Sequence, residues 1–172
     1  MPGRVAIMSR EQARSVLDWI SRVDSKEKNE LSLAVGIGLD RSAVPGHWVG
    51  DGARVLGLTG ACDLNVARRL FIHGTAPDGQ LVASPKVERS FYSAVFDVDK
   101  TVSMLLAHPD PRVRQALKEA IELAAANAFA LIESQARIRR GKNGVRSERP
   151  RGLTGLYFTH SASSAGDLVL AM

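Results

Sequence analysis

Apolar residues recur along this chain with a period of two in some stretches and of three to four in others. From Phe91 to Val98 they alternate: Tyr92, Ala94, Phe96 and Val98 on one side, Phe91, Ser93, Val95 and Asp97 on the other. Alternation of aromatic and β-branched residues predicts a half-buried strand, with the purely apolar set facing a core and the mixed set facing something wetter. Val5 to Met8 and Leu153 to Thr159 predict further strands. So does Leu31 to Leu39, which Gly36 and Gly38 interrupt. Helical spacing places Ala13, Val16, Leu17, Ile20 and Val23 on one helix from about Arg10 to Asp24, opened by a Ser9–Gln12 capping box. Asp63 caps a helix over Leu64 to His73, and Asp99 caps one over Lys100 to His108 that Pro109 closes.

The longest helical pattern runs from Pro111, at a first helical position behind the Asp110 cap, to Arg140. Its apolar positions are Val113, Leu117, Ala120, Ile121, Ala124, Ala128, Leu131 and Ile132. Thirty helical residues would span about 45 Å, more than one domain width, so a bend is expected, with Gly141 ending the helix. Glu133 and Arg137 form an exposed pair at helical spacing. Pro77-Asp78-Gly79 predicts a turn.

A chain of 172 residues is expected to be one domain, 1–172. With 45% apolar and 24% charged residues, it reads as an ordinary globular α/β (α+β) protein. The net charge of +5 favours an acidic partner, of which nucleic acid is the commonest. Most of that charge is concentrated. Arg137, Arg139, Arg140, Lys142, Arg146, Arg149 and Arg151 stand against one acid, Glu148. The pattern predicts a flexible basic loop, which in isolation is a solvated one. The single Cys62 excludes an intramolecular disulfide and any multi-cysteine metal site, and suits a reducing cytoplasm. No apolar run reaches membrane-spanning length, so no membrane partner is expected. Gly36-Ile37-Gly38-Leu39 opens no helix and completes no dinucleotide fingerprint.

Trp48 to Gly60 reads Trp-Val-Gly-Asp-Gly-Ala-Arg-Val-Leu-Gly-Leu-Thr-Gly. The glycines Gly50 and Gly52 suit a tight turn into about one and a half helical turns from Ala53 to Leu58. This segment resembles TrwC/TraI-type (MobF) conjugative relaxases, which carry Trp-x-Gly-x-Gly-Ala-x-x-Leu-Gly-Leu-x-Gly. Pro77-Asp78-Gly79 matches the same family. So, in part, does Arg89 to Ser103, through Arg89, Tyr92, Phe96, Lys100, Val102 and Ser103. The resemblance covers roughly 48–167, and 1–47 are divergent. It implies an antiparallel sheet flanked by helices, incomplete at its C-terminal side, with a DNA site on one sheet face.

The resemblance also implies a reaction: a tyrosine hydroxyl attacks a DNA phosphodiester that a divalent metal, Mg²⁺ or Mn²⁺ on three histidines, polarises. Here the chain departs from the family. Trp19 and Ile20 stand where the tyrosine pair is expected, and the only tyrosines are Tyr92 and Tyr157. Ser93 replaces the Asp that supports a metal-bound His. His160 fits the first ligand, Ala171 falls where the second would be, and His47, His73 and His108 have no partners at metal-site spacing. One imidazole does not hold such a metal against water, so no catalytic residue and no retained cofactor are expected. Beside the resemblance, the basic run and Lys100 become phosphate contacts. The leading reading is a relaxase-like domain that binds single-stranded DNA without nicking it. The alternatives are a non-catalytic partner of a full-length relaxase or of its own copy, and a gene fragment without selected activity.

Overall fold

The computed structural model describes residues 4–18, 46–82, 89–96, 98–141, 144–158, 160–162 and 168–171. The expected strand at Leu31 to Leu39, the end of the first helix with Trp19 and Ile20, Asp97, Lys142 and Thr159 lie outside the described residues. So do the side chains of Arg89 and His160. Strand β1 is Arg4–Ser9, and 10–18 continue it as helix α1. The capping box forms as expected: Gln12 N–H donates to Ser9 Oγ at 3.2 Å, and Ser9 N–H donates to Gln12 Oε1 at 2.8 Å. Ala13 and Leu17 are buried.

The elements that follow are β2 (His47–Val49), α2 (Asp51–Val55), α3 (Leu64–His73) and β3 (Arg89–Val95). Next come α4 (Lys100–Ser103) with a 3₁₀ extension over Met104–Ala107, and α5 (Pro111–Gln135). Five short strands close the series: β4 (Ile138–Arg140), β5 (Arg146–Glu148), β6 (Gly155–Tyr157), β7 (His160–Ala162) and β8 (Leu168–Ala171). Among the described residues the strands pair as β1–β3, β2–β6, β4–β5 and β7–β8, all antiparallel. Local chemistry sets most boundaries. Asp63, Asp99 and Asp110 each accept a backbone N–H two residues on, at 2.7, 2.9 and 2.8 Å. Asp78 accepts Gln80 N–H at 2.9 Å in the predicted turn.

Trp48 ties two packing clusters together. On one side are Leu17, Ala67 and Ile72, with Phe71 stacked on the indole at 6.1 Å; on the other are Ala53, Leu58 and Leu70. A third cluster joins Val98 and Leu106 to Leu117 and Ile121 of α5. The Trp48–Gly60 segment is therefore a packing centre, as its sequence suggests.

Four expectations are corrected. Strand β3 ends at Val95, and at its start the facing is reversed: Phe91 meets Phe71 of α3 edge-on at 5.4 Å, while Tyr92 is 76% exposed; Val98, beyond the strand, packs inward as expected. Ile7 lies opposite Tyr92 and Val5 opposite Ala94, so the supposed core face looks outward. Helix α5 stops at Gln135, not Arg140, and spans about 38 Å. Its buried positions are Ile121 and Ala125, with Leu131 exposed, and Gly141 follows β4 at φ 83°. The described part of the basic run pairs as two short antiparallel strands, β4 and β5, where a loop is expected. The expected Glu133–Arg137 pair gives way to other partners. Arg137 Nη1 donates to the carbonyls of Ser134 and Ala136 at 3.1 and 2.7 Å, satisfying orphan acceptors at the helix end.

Candidate nucleic-acid interface

The basic residues singled out in the sequence fall on the segment between α5 and β6. In the β4–β5 hairpin, Arg139 lies opposite Ser147, and Arg140 lies opposite Arg146. Like charges directly opposed across a hairpin repel, and both side chains are exposed. Glu148, the one acid of the run, is spent on Arg140 at 3.0 Å. Arg139, Arg146, Arg149 and Arg151 are exposed and form no ion pair among the described residues. The hairpin holds positive charge in a fixed geometry that its own acid does not neutralise.

Just beyond β5 in the chain, Arg149 and Arg151 enter the lining of a groove of about 700 Å³. Its walls come from Trp48, Asp51 and Arg54 of the glycine-rich segment, Phe129 and Glu133 of α5, and Arg149 and Arg151. Arg54 pairs with Asp51, which raises the guanidinium pKa through that hydrogen bond. Next to the groove-lining Asp51 and Gly152 the two backbones approach closely: Gly52 N–H donates to Leu153 O at 2.9 Å. A Cβ on Gly152 would lie 2.7 Å from Asp51 C, and one on Gly52 would lie 2.8 Å from Leu153 C. The glycines of the motif therefore serve contact as well as turning. Glu133 is the residue that sequence reasoning missed. Its Oε1 accepts the N–H of Asp51 at 2.9 Å and of Leu153 at 2.6 Å. Its helical spacing from Arg137 signalled a local pair and concealed this long-range one.

Lys100 is exposed in the first turn of the short α4, and no contact links it to the arginines. The described histidines serve local structure. His108 Nδ1 accepts Asp110 N–H at 3.1 Å, and His47 stacks on Tyr157 at 5.3 Å. His160 opens β7. Tyr157 is half-buried, with its pKa raised first by burial and then by Glu122, the opposite of what a nucleophilic phenol needs. Burial, followed by Asp63, pushes the Cys62 thiol up to about 12. Among the described residues no three His, Cys, Asp or Glu side chains gather as a metal centre.

The fold and the glycine-rich segment together define a conjugative relaxase domain. A family model described as TrwC relaxase matches residues 39–169, and the chain belongs to that family. Among solved structures, it is similar to the conjugative relaxase TrwC in complex with oriT DNA in a metal-bound form. That pair shares 24% identity with a TM-score of 0.71, over 99% of this chain and 54% of that one. The metal-free complex gives 21% and 0.72, over 99% and 53%. TrwC with a 27-mer DNA comprising the recognition hairpin and the cleavage site gives 20% and 0.69, over 99% and 53%. The chain thus spans about half the length of these structures, and the likeness establishes the fold. No curated protein matches. Among the described residues no helix is long and apolar enough to cross a membrane.

Proposed function

We propose that this chain is a DNA-binding relaxase-type domain that holds single-stranded DNA across the β4–β5 hairpin and the adjoining groove, in the reducing interior of the cell. One observation carries the reading. Arg140 and Arg146 are held opposite each other on an exposed hairpin whose one acid, Glu148, pairs with Arg140 and leaves Arg146 without an ion pair among the described residues. A phosphate backbone relieves that repulsion and releases counterions in doing so. The groove adds Arg149 and Arg151 beside the hairpin. The relatives with this fold were solved with oriT DNA. The test is fluorescence anisotropy of the purified chain with a labelled single-stranded oligonucleotide across a salt series. Log affinity is expected to fall linearly with log salt, and absence of binding, or binding without that slope, overturns the reading.

The same proposal holds that these residues do not nick or rejoin DNA by themselves. Tyr92 and Tyr157 are the only phenols in the sequence, one on the outer face of β3 and the other against His47. Site-specific nicking by the purified chain with Mn²⁺ would refute this part. A second reading, a non-catalytic partner of a full-length relaxase or of a second copy, is favoured by the outer face of the β1–β3 ribbon. There Val5, Ile7 and Tyr92 are 66%, 58% and 76% exposed. Light scattering without DNA decides it for the second copy: a monomer at all concentrations argues against self-association.

A further inference from the structure

Glu133 stands two residues before the end of α5, and the basic segment departs just beyond it. That segment returns at Leu153, whose N–H donates to the same carboxylate oxygen that accepts Asp51 N–H. Both ends of the excursion from 135 to 153 are therefore held at one side chain. Arg149 and Arg151 lie on the returning limb, and with Glu133 they line the groove. A carboxylate beside a phosphate-binding surface repels phosphate, so its presence there costs affinity unless it organises the cations around it.

We propose that Glu133 is a positioning residue: a latch that fixes Arg149 and Arg151 against the glycine-rich segment, so that they continue the row of charge presented by the hairpin. The inference rests on the DNA-binding reading above and adds the residue that sets its geometry. It reverses the ordinary sign of an acidic substitution. Removing a negative charge near arginines should by itself tighten DNA binding, whereas breaking the latch should weaken it.

The full chain carrying Glu133→Ala, Glu133→Asp or Glu133→Gln is tested in two ways, with far-UV circular dichroism confirming the fold. The first is anisotropy with a fluorescein-labelled oligo-dT. The second is limited trypsin digestion, read at Arg151, since Pro150 protects the bond after Arg149. For Glu133→Ala, binding is expected to weaken roughly 25-fold near 0.1 M salt, the equivalent of two phosphate contacts at about 0.7 log unit each. Cleavage after Arg151 should accelerate. Glu133→Asp keeps the charge but is one methylene short, so it should behave like Glu133→Ala. Glu133→Gln keeps an oxygen in place for both N–H groups and removes the charge, so it should bind as tightly as the wild type or more tightly, with cleavage after Arg151 unchanged. Binding by Glu133→Ala as tight as or tighter than the wild type overturns the proposal, as does Glu133→Asp indistinguishable from wild type. If the wild-type chain shows no salt-dependent binding, the DNA reading falls. The latch is then decided by trypsin alone, and unchanged cleavage in Glu133→Ala overturns it.

Discussion

Gly50→Ala is expected to remove a large share of the folding stability of this chain, about 2–6 kcal/mol. Gly50 precedes α2 at φ 100°, ψ 160°, a backbone region that only glycine occupies without strain of about 1–3 kcal/mol. The added Cβ would also lie 2.6 Å from Phe129 Cε1 and against the Leu153 carbonyl oxygen. Overpacking of that kind costs about 1–3 kcal/mol. Domains of this size retain only about 5–15 kcal/mol in total. Gly57, seven residues on in the same motif, is the control. It sits at φ 70° with open space where a Cβ would go, so Gly57→Ala should cost only the left-handed backbone penalty of about 1–2 kcal/mol. Urea denaturation followed by circular dichroism compares the two. Equal losses would show that Gly50 is needed only for its dihedral angles and that the contact with Phe129 and Leu153 is immaterial.

That contrast also shows which parts of the structure are legible in the sequence. The caps at Ser9, Asp63, Asp99 and Asp110, and the Pro77-Asp78-Gly79 turn, depend on partners two or three residues away, and they form where the sequence places them. Trp48 as an anchor was legible because a large aromatic among glycines and alanines has little else to do. The facing of β3 was not, because both of its faces carry an aromatic ring. What chose between them was Phe71, twenty positions upstream on α3. The β4–β5 hairpin was concealed for a different reason. Its strands are built from arginines, so no apolar alternation marks them, and nothing between Gln135 and Arg140 breaks a helix. Glu133 had a ready local partner in Arg137 and chose two amides 82 and 20 residues away. The candidate interface was thus legible as composition, and only the structure gives it an order.

Replacing Arg139, Arg146, Arg149 and Arg151 together by Ala is expected to cost roughly 10²–10³-fold in affinity for single-stranded DNA near 0.1 M salt. Each arginine that neutralises a phosphate contributes about 0.7 to the slope of log affinity against log salt, so the slope should fall by about 2.8. The substitution also lowers the net charge from +5 to +1, which weakens any cation's attraction to DNA. A matched variant separates the two effects. Arg14, Arg69, Arg112 and Lys118 are exposed on α1, α3 and α5, and replacing these four by Ala gives the same net charge with the hairpin intact. If placement matters, the matched variant keeps most of the wild-type slope, because charges farther from the strand than a Debye length of about 10 Å are screened. Equal losses in the two variants would mean that DNA feels only the overall charge, and the ordered hairpin would then have no claim to be the interface. The geometry argues for placement: Glu148 answers only Arg140, so Arg139 and Arg146 on the hairpin carry charge without an ion pair among the described residues, and Arg149 and Arg151 continue it into the groove.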